Sequence, residues 1–146
     1  MLELIHTSIE EWGIPSPKIG VASINPHAGD GGLLGTEEQM EIQPAIEAAR
    51  NKNINAVGPI SSDILFHQAI QGVYDVTLAM YHDQGHIPVK VYGFEKSISA
   101  NLGLPFVRTS VDHGTAFDIA GLGIAQPKSM IEAITVAVAL CTGKGL

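Results

Sequence analysis

The chain has 146 residues, 45% of them hydrophobic and 16% charged, with a net charge of −7. That is enough apolar material for one ordinary globular domain. Lys and Arg total 8 against 15 Asp and Glu and nowhere cluster, which argues against a duplex nucleic acid or an anionic membrane as partner. One cysteine excludes an intrachain disulfide framework and suits a reducing compartment. No stretch is long and apolar enough to span a bilayer, and no signal peptide is visible. A cytoplasmic protein with 1–146 as a single α/β unit is therefore expected.

Along the chain, Leu2, Leu4, Ile5, Ile9 and Trp12 recur at helical spacing and stop at Gly13. Residues 18–24, "KIGVASI", form a nearly continuous apolar run and predict a central strand buried on both faces. Thr36 with Gln39 three residues on reads as a capping box. The helix after it should be kinked or divided by Pro44. Short strands are predicted over 54–60, 75–81, 88–91 and 105–111, and an apolar, mostly buried closing helix over 129–141 carries Cys141 as a buried thiol. Strands alternating with helices predict an α/β fold with a largely parallel sheet.

Two histidines stand just past predicted buried strands, His27 in "NPHAGDGG" and His82 in "YHDQG". Ligand sites in open α/β sheets lie at the carboxyl ends of strands, so these two side chains have a route to one place. Neutral imidazole ligates divalent transition metals, and the glycines after His27 let backbone approach a ligand closely. Asp83, beside His82, could be a ligand, a partner to the imidazole or a general base. Two histidines do not complete a metal site, and a hydrogen-bonded loop histidine is the plainer reading of each. His86 lies near the same motif without an assigned task, while His67 and His6 read as helix residues, structural and exposed respectively. Lys90 and Arg108 are basic residues suited to a phosphate or carboxylate. In residues 112–127, "DHGTAFDIAGLGIAQP", small residues let a loop wrap a flat ligand, and Asp118 could accept hydrogen bonds from a ribose diol. The segment has no GxGxxG fingerprint.

Three blocks, "INPHAGDGGLLGTEE", "AMYHDQGHIPVK" and "GLPFVRTSVDHGTAFDIAG", together resemble the 4-hydroxythreonine-4-phosphate dehydrogenase family of vitamin B6 biosynthesis. The last block is also similar to the "HGSAPDIAGKGIANP" adenosine loop of isocitrate and isopropylmalate dehydrogenases. The resemblance implies an isocitrate-dehydrogenase-like α/β/α sandwich, present here as its C-terminal half. It implies that NAD oxidises a secondary hydroxyl of a small phosphorylated hydroxy acid, which then loses CO2, with a divalent metal (Zn, Mg, Mn or Co) held by three histidines across a homodimer interface. His27 and His82 match two of those ligands. Asp63 and Asp83 match carboxylates beside the metal and are the catalytic candidates. Lys90 and Arg108 match substrate contacts; a third contact, an Asn in the family, falls on Ser99, with Asn101 two residues later. His113, Gly114, Thr115, Ala116 and Asp118 match the cofactor loop. Family members are roughly twice as long, and the third metal histidine lies in the part without a counterpart here. The chain alone is therefore expected to self-associate and to turn over little or nothing. The stretches "GHIPVK" and "TAFDIAG" are similar to branches acting on threonate or erythronate 4-phosphate. The alternatives are that branch, a non-catalytic metal- or nucleotide-binding fragment, and a metal-dependent hydrolase, which would leave "DHGTAFDIAG" without a purpose.

Overall fold

The computed structural model describes residues 1–143, which divide into two compact units, the first Met1–Pro88 and the second from Val89 onward. The first unit begins with helix α1 (Leu2–Glu11), which buries Leu2, Ile5, Ser8 and Ile9. Strand β1 (Ile19–Ala22) follows and is buried at every position. It runs between two parallel neighbours, β2 (Ala56–Ile60) and β3 (Val76–Leu78), in the order β2-β1-β3. The unbroken apolar run thus became the central strand, because a strand covered on both faces has no position to spare for a polar side chain. The register pairs Ile19 with Ala56 and Val76, and slips between Gly20 and Ala22 on the β2 side.

Helices cover both faces. Gly20 lies under helix α3 (Ser62–Ile70): a Cβ there would come 2.7 Å from Leu65 Cδ1 and 2.9 Å from Tyr74 Cγ. On the other face, a Cβ at Gly58 would come 3.1 Å from Val21 Cβ and 3.3 Å from Ile46 Cδ1 of helix α2 (Gln43–Arg50). Ile19, Ile46 and Leu65 are fully buried and form the centre of this core.

The segment before α2 departs from the expected capped helix. Residues Glu38–Ile42 form a π-turn, and the Gln43 N–H donates to the Glu38 carbonyl five residues back. No side chain caps its start; Thr36 contributes its carbonyl, which accepts from Gln39 and Met40. Pro44 has no N–H to give, and its ring conflicts with the carbonyl four residues before it in a regular helix. The wider turn relieves that conflict and lets Pro44 sit in the first turn of α2.

Helix α4 (His82–Gly93) replaces the strand expected over 88–91. The expected strand was a short run containing β-branched Val89 and Val91. The helix starts earlier, at His82, and carries Pro88 within it. The second unit pairs β4 (Ile98–Ala100) antiparallel with β5 (Thr109–Val111), so the strand foreseen over 105–111 is confined to its last three residues and its partner was missed. Helix α5 (Lys128–Cys141) packs on this pair: Ser129 Oγ donates to the Ser97 carbonyl at 2.9 Å and Thr109 Oγ1 to the Ala133 carbonyl at 2.8 Å. Contrary to expectation, α5 is mostly uncovered. Only Ser129, Ala133 and Leu140 are buried; Met130, Ile131, Ile134 and Val138 are exposed. The Cys141 thiol is exposed as well. Its apolar run is one helix lying on a two-stranded sheet, and two strands cover only one side of it.

Candidate functional site

In the first unit the carboxyl ends of β1 and β3 and the start of α3 open onto one small pocket of about 290 Å³, lined by Ile24, Asn25, Pro26, His27, Ser61, Ser62, Asp63, Tyr81 and Gln84. His27 and Asp63, 36 positions apart in sequence, therefore share a pocket. His82 follows its lining residue Tyr81 and opens α4, as expected of a residue just past a strand. Its Nδ1 lies 2.7 Å from Asp83 Oδ1. With the carboxylate accepting from Nδ1–H, the Nε2 lone pair is left for a ligand. The His86 ring stacks on His82 at 4.1 Å with 13° between planes. His67 lies on exposed α3 surface, 3.1 Å from the Gln71 amide, and His6 is 3.4 Å from Glu10 in α1.

Two residues that the sequence reading passed over hold this pocket together. Gln84 is nearly buried. Its Oε1 accepts from the Met80 N–H at 2.6 Å, and its Nε2 donates to the Ser23 carbonyl at 2.6 Å and to Ser62 Oγ at 2.7 Å. One amide thus ties the ends of β1, β3 and α3. Such a bridge needs both a donor and an acceptor on one side chain, which Gln has and Glu lacks. Its position within "YHDQG" was the available signal. The second residue is Glu38, which is 3% exposed. It accepts from the N–H groups of Ile24 at 2.8 Å and Asn25 at 2.7 Å and from Asn25 Nδ2 at 2.9 Å. Burial pushes this carboxyl up, but the Asn25 side-chain amide and the backbone N–H groups of Asn25, Glu38 and Ile24 outweigh it and hold it below the ordinary glutamate value.

The loop bearing His27 is left-handed. His27, Ala28, Gly29, Asp30 and Gly31 have φ of 52°, 53°, 82°, 44° and 65°, and Gly32 follows at 100°. The conformation costs about 1–2 kcal/mol at each non-glycine residue, and strain of this kind gathers at functional sites.

Imidazole and carboxylate are suitable donors for a divalent ion. Among the described residues, however, no three His, Cys, Asp or Glu side chains are gathered closely enough to hold one. His27 and His82 therefore fit a metal in kind, as part of a coordination set.

The second unit contains an open cavity of about 880 Å³ whose lining includes His113, Gly114, Thr115, Ala116, Asp118 and Gly121. All five residues matched to the cofactor loop thus face one space. Ala116 has φ 47° and precedes a short 3-10 turn, Phe117–Ile119, that carries Asp118. A cavity of this size falls within the range that takes small ligands, and its exposed backbone at Gly114 and Gly121, where a Cβ would meet nothing, suits a flat group lying close to the chain. His113 Nδ1 is 2.8 Å from the Gly114 carbonyl, which sets the ring against its own loop.

Ser99 and Arg108 lie on and beside the β4–β5 hairpin. Ser99 Oγ is 3.4 Å from Asp112 Oδ1. Arg108 Nη1 donates to Asn101 Oδ1 at 2.5 Å, and the Asn101 N–H donates to the Arg108 carbonyl at 3.1 Å. Asn101 thus braces Arg108 in this structure. Lys90 is half-buried on α4.

A family model described as pyridoxal phosphate biosynthetic protein PdxA matches residues 1–137. A D-threonate 4-phosphate dehydrogenase of Cupriavidus necator is 51% identical over 142 residues, 97% of this chain and 43% of that protein. A 4-hydroxythreonine-4-phosphate dehydrogenase of Beijerinckia indica is 55% identical over 139 residues, 95% of this chain and 41% of that protein. The crystal structure of 4-hydroxythreonine-4-phosphate dehydrogenase from Klebsiella pneumoniae superposes with a TM-score of 0.86 at 46% identity, covering 95% of this chain and 42% of that one. The chain spans less than half the length of these relatives.

Proposed function

This chain belongs to the family of the pyridoxal phosphate biosynthetic protein PdxA, and from that premise we propose that it forms part of a NAD- and divalent-metal-dependent dehydrogenase that oxidises and decarboxylates a small phosphorylated hydroxy acid. The observation that carries the reading is the shared strand-exit pocket of His27 and Asp63, with His82 at the adjoining helix start. Relatives named for 4-hydroxythreonine 4-phosphate and for D-threonate 4-phosphate match it about equally well. The substrate class is therefore what both share, a phosphate ester bearing a secondary hydroxyl and a carboxylate.

A divalent ion, when bound, would supply a Lewis acid for the substrate's oxygens and for the negative charge that CO2 loss leaves, and NAD would supply the hydride acceptor. The chain's own residues do the rest. His27 and His82 supply imidazole nitrogens, and Asp83 holds the His82 ring through Nδ1. Asp63, lining the pocket, takes the proton of the substrate hydroxyl as the C–H hydride leaves. Lys90 and Arg108 hold the phosphate, and Ser99 is a further substrate contact. His113, Gly114, Thr115, Ala116 and Asp118 hold the adenosine end of NAD. A cytoplasmic homodimer is the proposed assembly; among the described residues no helix is long and apolar enough to cross a membrane.

The reading is tested by calorimetric titration of the folded chain with NAD, in parallel with NADH absorbance in the presence of Mn2+ and either phosphorylated acid. NAD binding is expected, with little or no turnover, because this chain supplies only part of the metal set. A folded chain with no affinity for NAD would overturn the cofactor assignment, and turnover would rule out a fragment without catalysis.

Two variants separate the ligand sites. Arg108→Ala removes a charge-assisted bond to phosphate, an expected loss of about 1.5–3 kcal/mol, or roughly 10–150-fold in substrate affinity. NAD affinity should hardly move; an equal loss for both ligands would mean that the hairpin has lost its fold. At Asp118, the carboxylate should accept from the ribose hydroxyls of NAD and repel a 2′-phosphate. NAD is therefore expected to bind more tightly than NADP, and Asp118→Asn to narrow the gap. Equal binding of the two cofactors to the unaltered chain would refute this role.

A further inference from the structure

Six consecutive residues with positive φ, three of them not glycine, do not stay in place unaided. The loop's own backbone gives two closures, Leu33 N–H to the Asp30 carbonyl at 3.2 Å and Leu34 N–H to the Gly29 carbonyl at 3.0 Å. Both lie beyond His27; on its approach from β1, Ser23 Oγ donates to the Asn25 carbonyl at 3.0 Å but does not reach across to the turn. Glu38 reaches both sides. Before His27, its carboxylate accepts the three hydrogen bonds from Ile24 and Asn25. After His27, it lies against the backbone of Gly29, where a Cβ would come 2.8 Å from Glu38 Oε2. Asn25 is gripped from a second side as well, donating through Nδ2 to Glu37 Oε2 at 2.6 Å. Gly35 leaves room for this, since a Cβ there would come within contact of the Asn25 amide.

We propose that Glu38 is the positioning residue of His27: its buried carboxylate clamps the strand exit and the left-handed turn into one piece and so presents the imidazole to the pocket. The functional half of this inference rests on the reading of His27 as a metal ligand; the structural half does not.

Glu38→Gln is the sharpest test because it keeps the shape. Its carbonyl oxygen can still accept from Ile24 and Asn25, but its NH2 meets the NH2 of Asn25. Turning Asn25 over places its oxygen against the Glu37 carboxylate. The link fails in either orientation while the core is untouched. Histidine ring signals would be followed by NMR, with His27 assigned from His27→Gln, together with amide exchange over residues 27–32 and Mn2+ titration. Expected in Glu38→Gln are a displaced His27 ring signal, faster exchange confined to the loop, unmoved His67 and His113 signals, and Mn2+ affinity weaker by about 10-fold. Glu38→Asp retains the charge on a side chain one methylene shorter; it should show the same changes and guards against misfolding of the first variant. Ring signals and loop exchange like those of the unaltered chain, in either folded variant, would overturn the proposal. If the unaltered chain binds no Mn2+ through His27, the metal reading fails, while the NMR and exchange results still decide the role of Glu38.

Discussion

Alanine at His27 or at His82 is expected to weaken divalent-metal binding by at least about 10–100-fold. That is the range for losing a group that merely supports a ligand, and loss of the ligand itself should be no milder. The two changes act differently on the protein. His27 sits in a strained loop, so His27→Ala removes a donor and leaves a second residue like Ala28 in a left-handed conformation. His82 is 72% exposed at the first position of α4, so its replacement should leave stability nearly unchanged. Asp83→Asn should be milder than either, because it alters the hold on Nδ1 without removing Nε2. Calorimetric titration with Mn2+ or Co2+ gives the answer. Undiminished affinity in both alanine variants would sink the assignment of these histidines.

The second large effect is on stability. Leu65 has no exposed surface and lies on Gly20 of the central strand. Leu65→Ala should cost about 2–5 kcal/mol, the span set by how far the cavity can collapse. Gly20 and the β1 backbone cannot follow the lost side chain, since β1 is bonded to strands on both sides. The urea midpoint of the first unit should fall without a change in slope. Asp63 is in the first turn of α3, two residues before Leu65, so the same change should loosen the pocket. A loss below about 1 kcal/mol, well short of what cavity-forming substitutions cost, would show that α3 is not anchored through Leu65.

Much of the first unit was legible because each signal was continuous. Residues 19–22 are apolar without interruption, and that alone implies a strand with both faces covered. Placement just past such strands then singled out His27 and His82 by sequence position. The second unit was harder to read. Its strands are three residues long and half-buried, too short for alternation to declare itself. The 88–91 stretch misled because a four-residue window with two valines does not reveal that it lies inside a helix already begun at His82. Cys141 and the faces of α5 misled because apolar composition reports what could be buried and says nothing about how much sheet is there to bury it. Gln84 was invisible as a bridge because all three of its partners are backbone or hydroxyl groups brought near only by folding.

The π-turn before α2 explains why Glu38 was missed too, and it is a matter of angular phase. Glu38 and Ile46 are eight residues apart and both buried. At about 100° per residue, an unbroken α-helix would leave them about 80° out of line, with the carboxylate swung away from the face that Ile46 turns inward. A turn that takes in one extra residue winds back by about one step, and the mismatch falls to about 20°. The proline that seemed only to interrupt the helix thus sits where the winding is reset. One side of this segment can then serve two tasks in succession, seating an aliphatic side chain in the core and, two turns earlier, aiming a carboxylate at the loop.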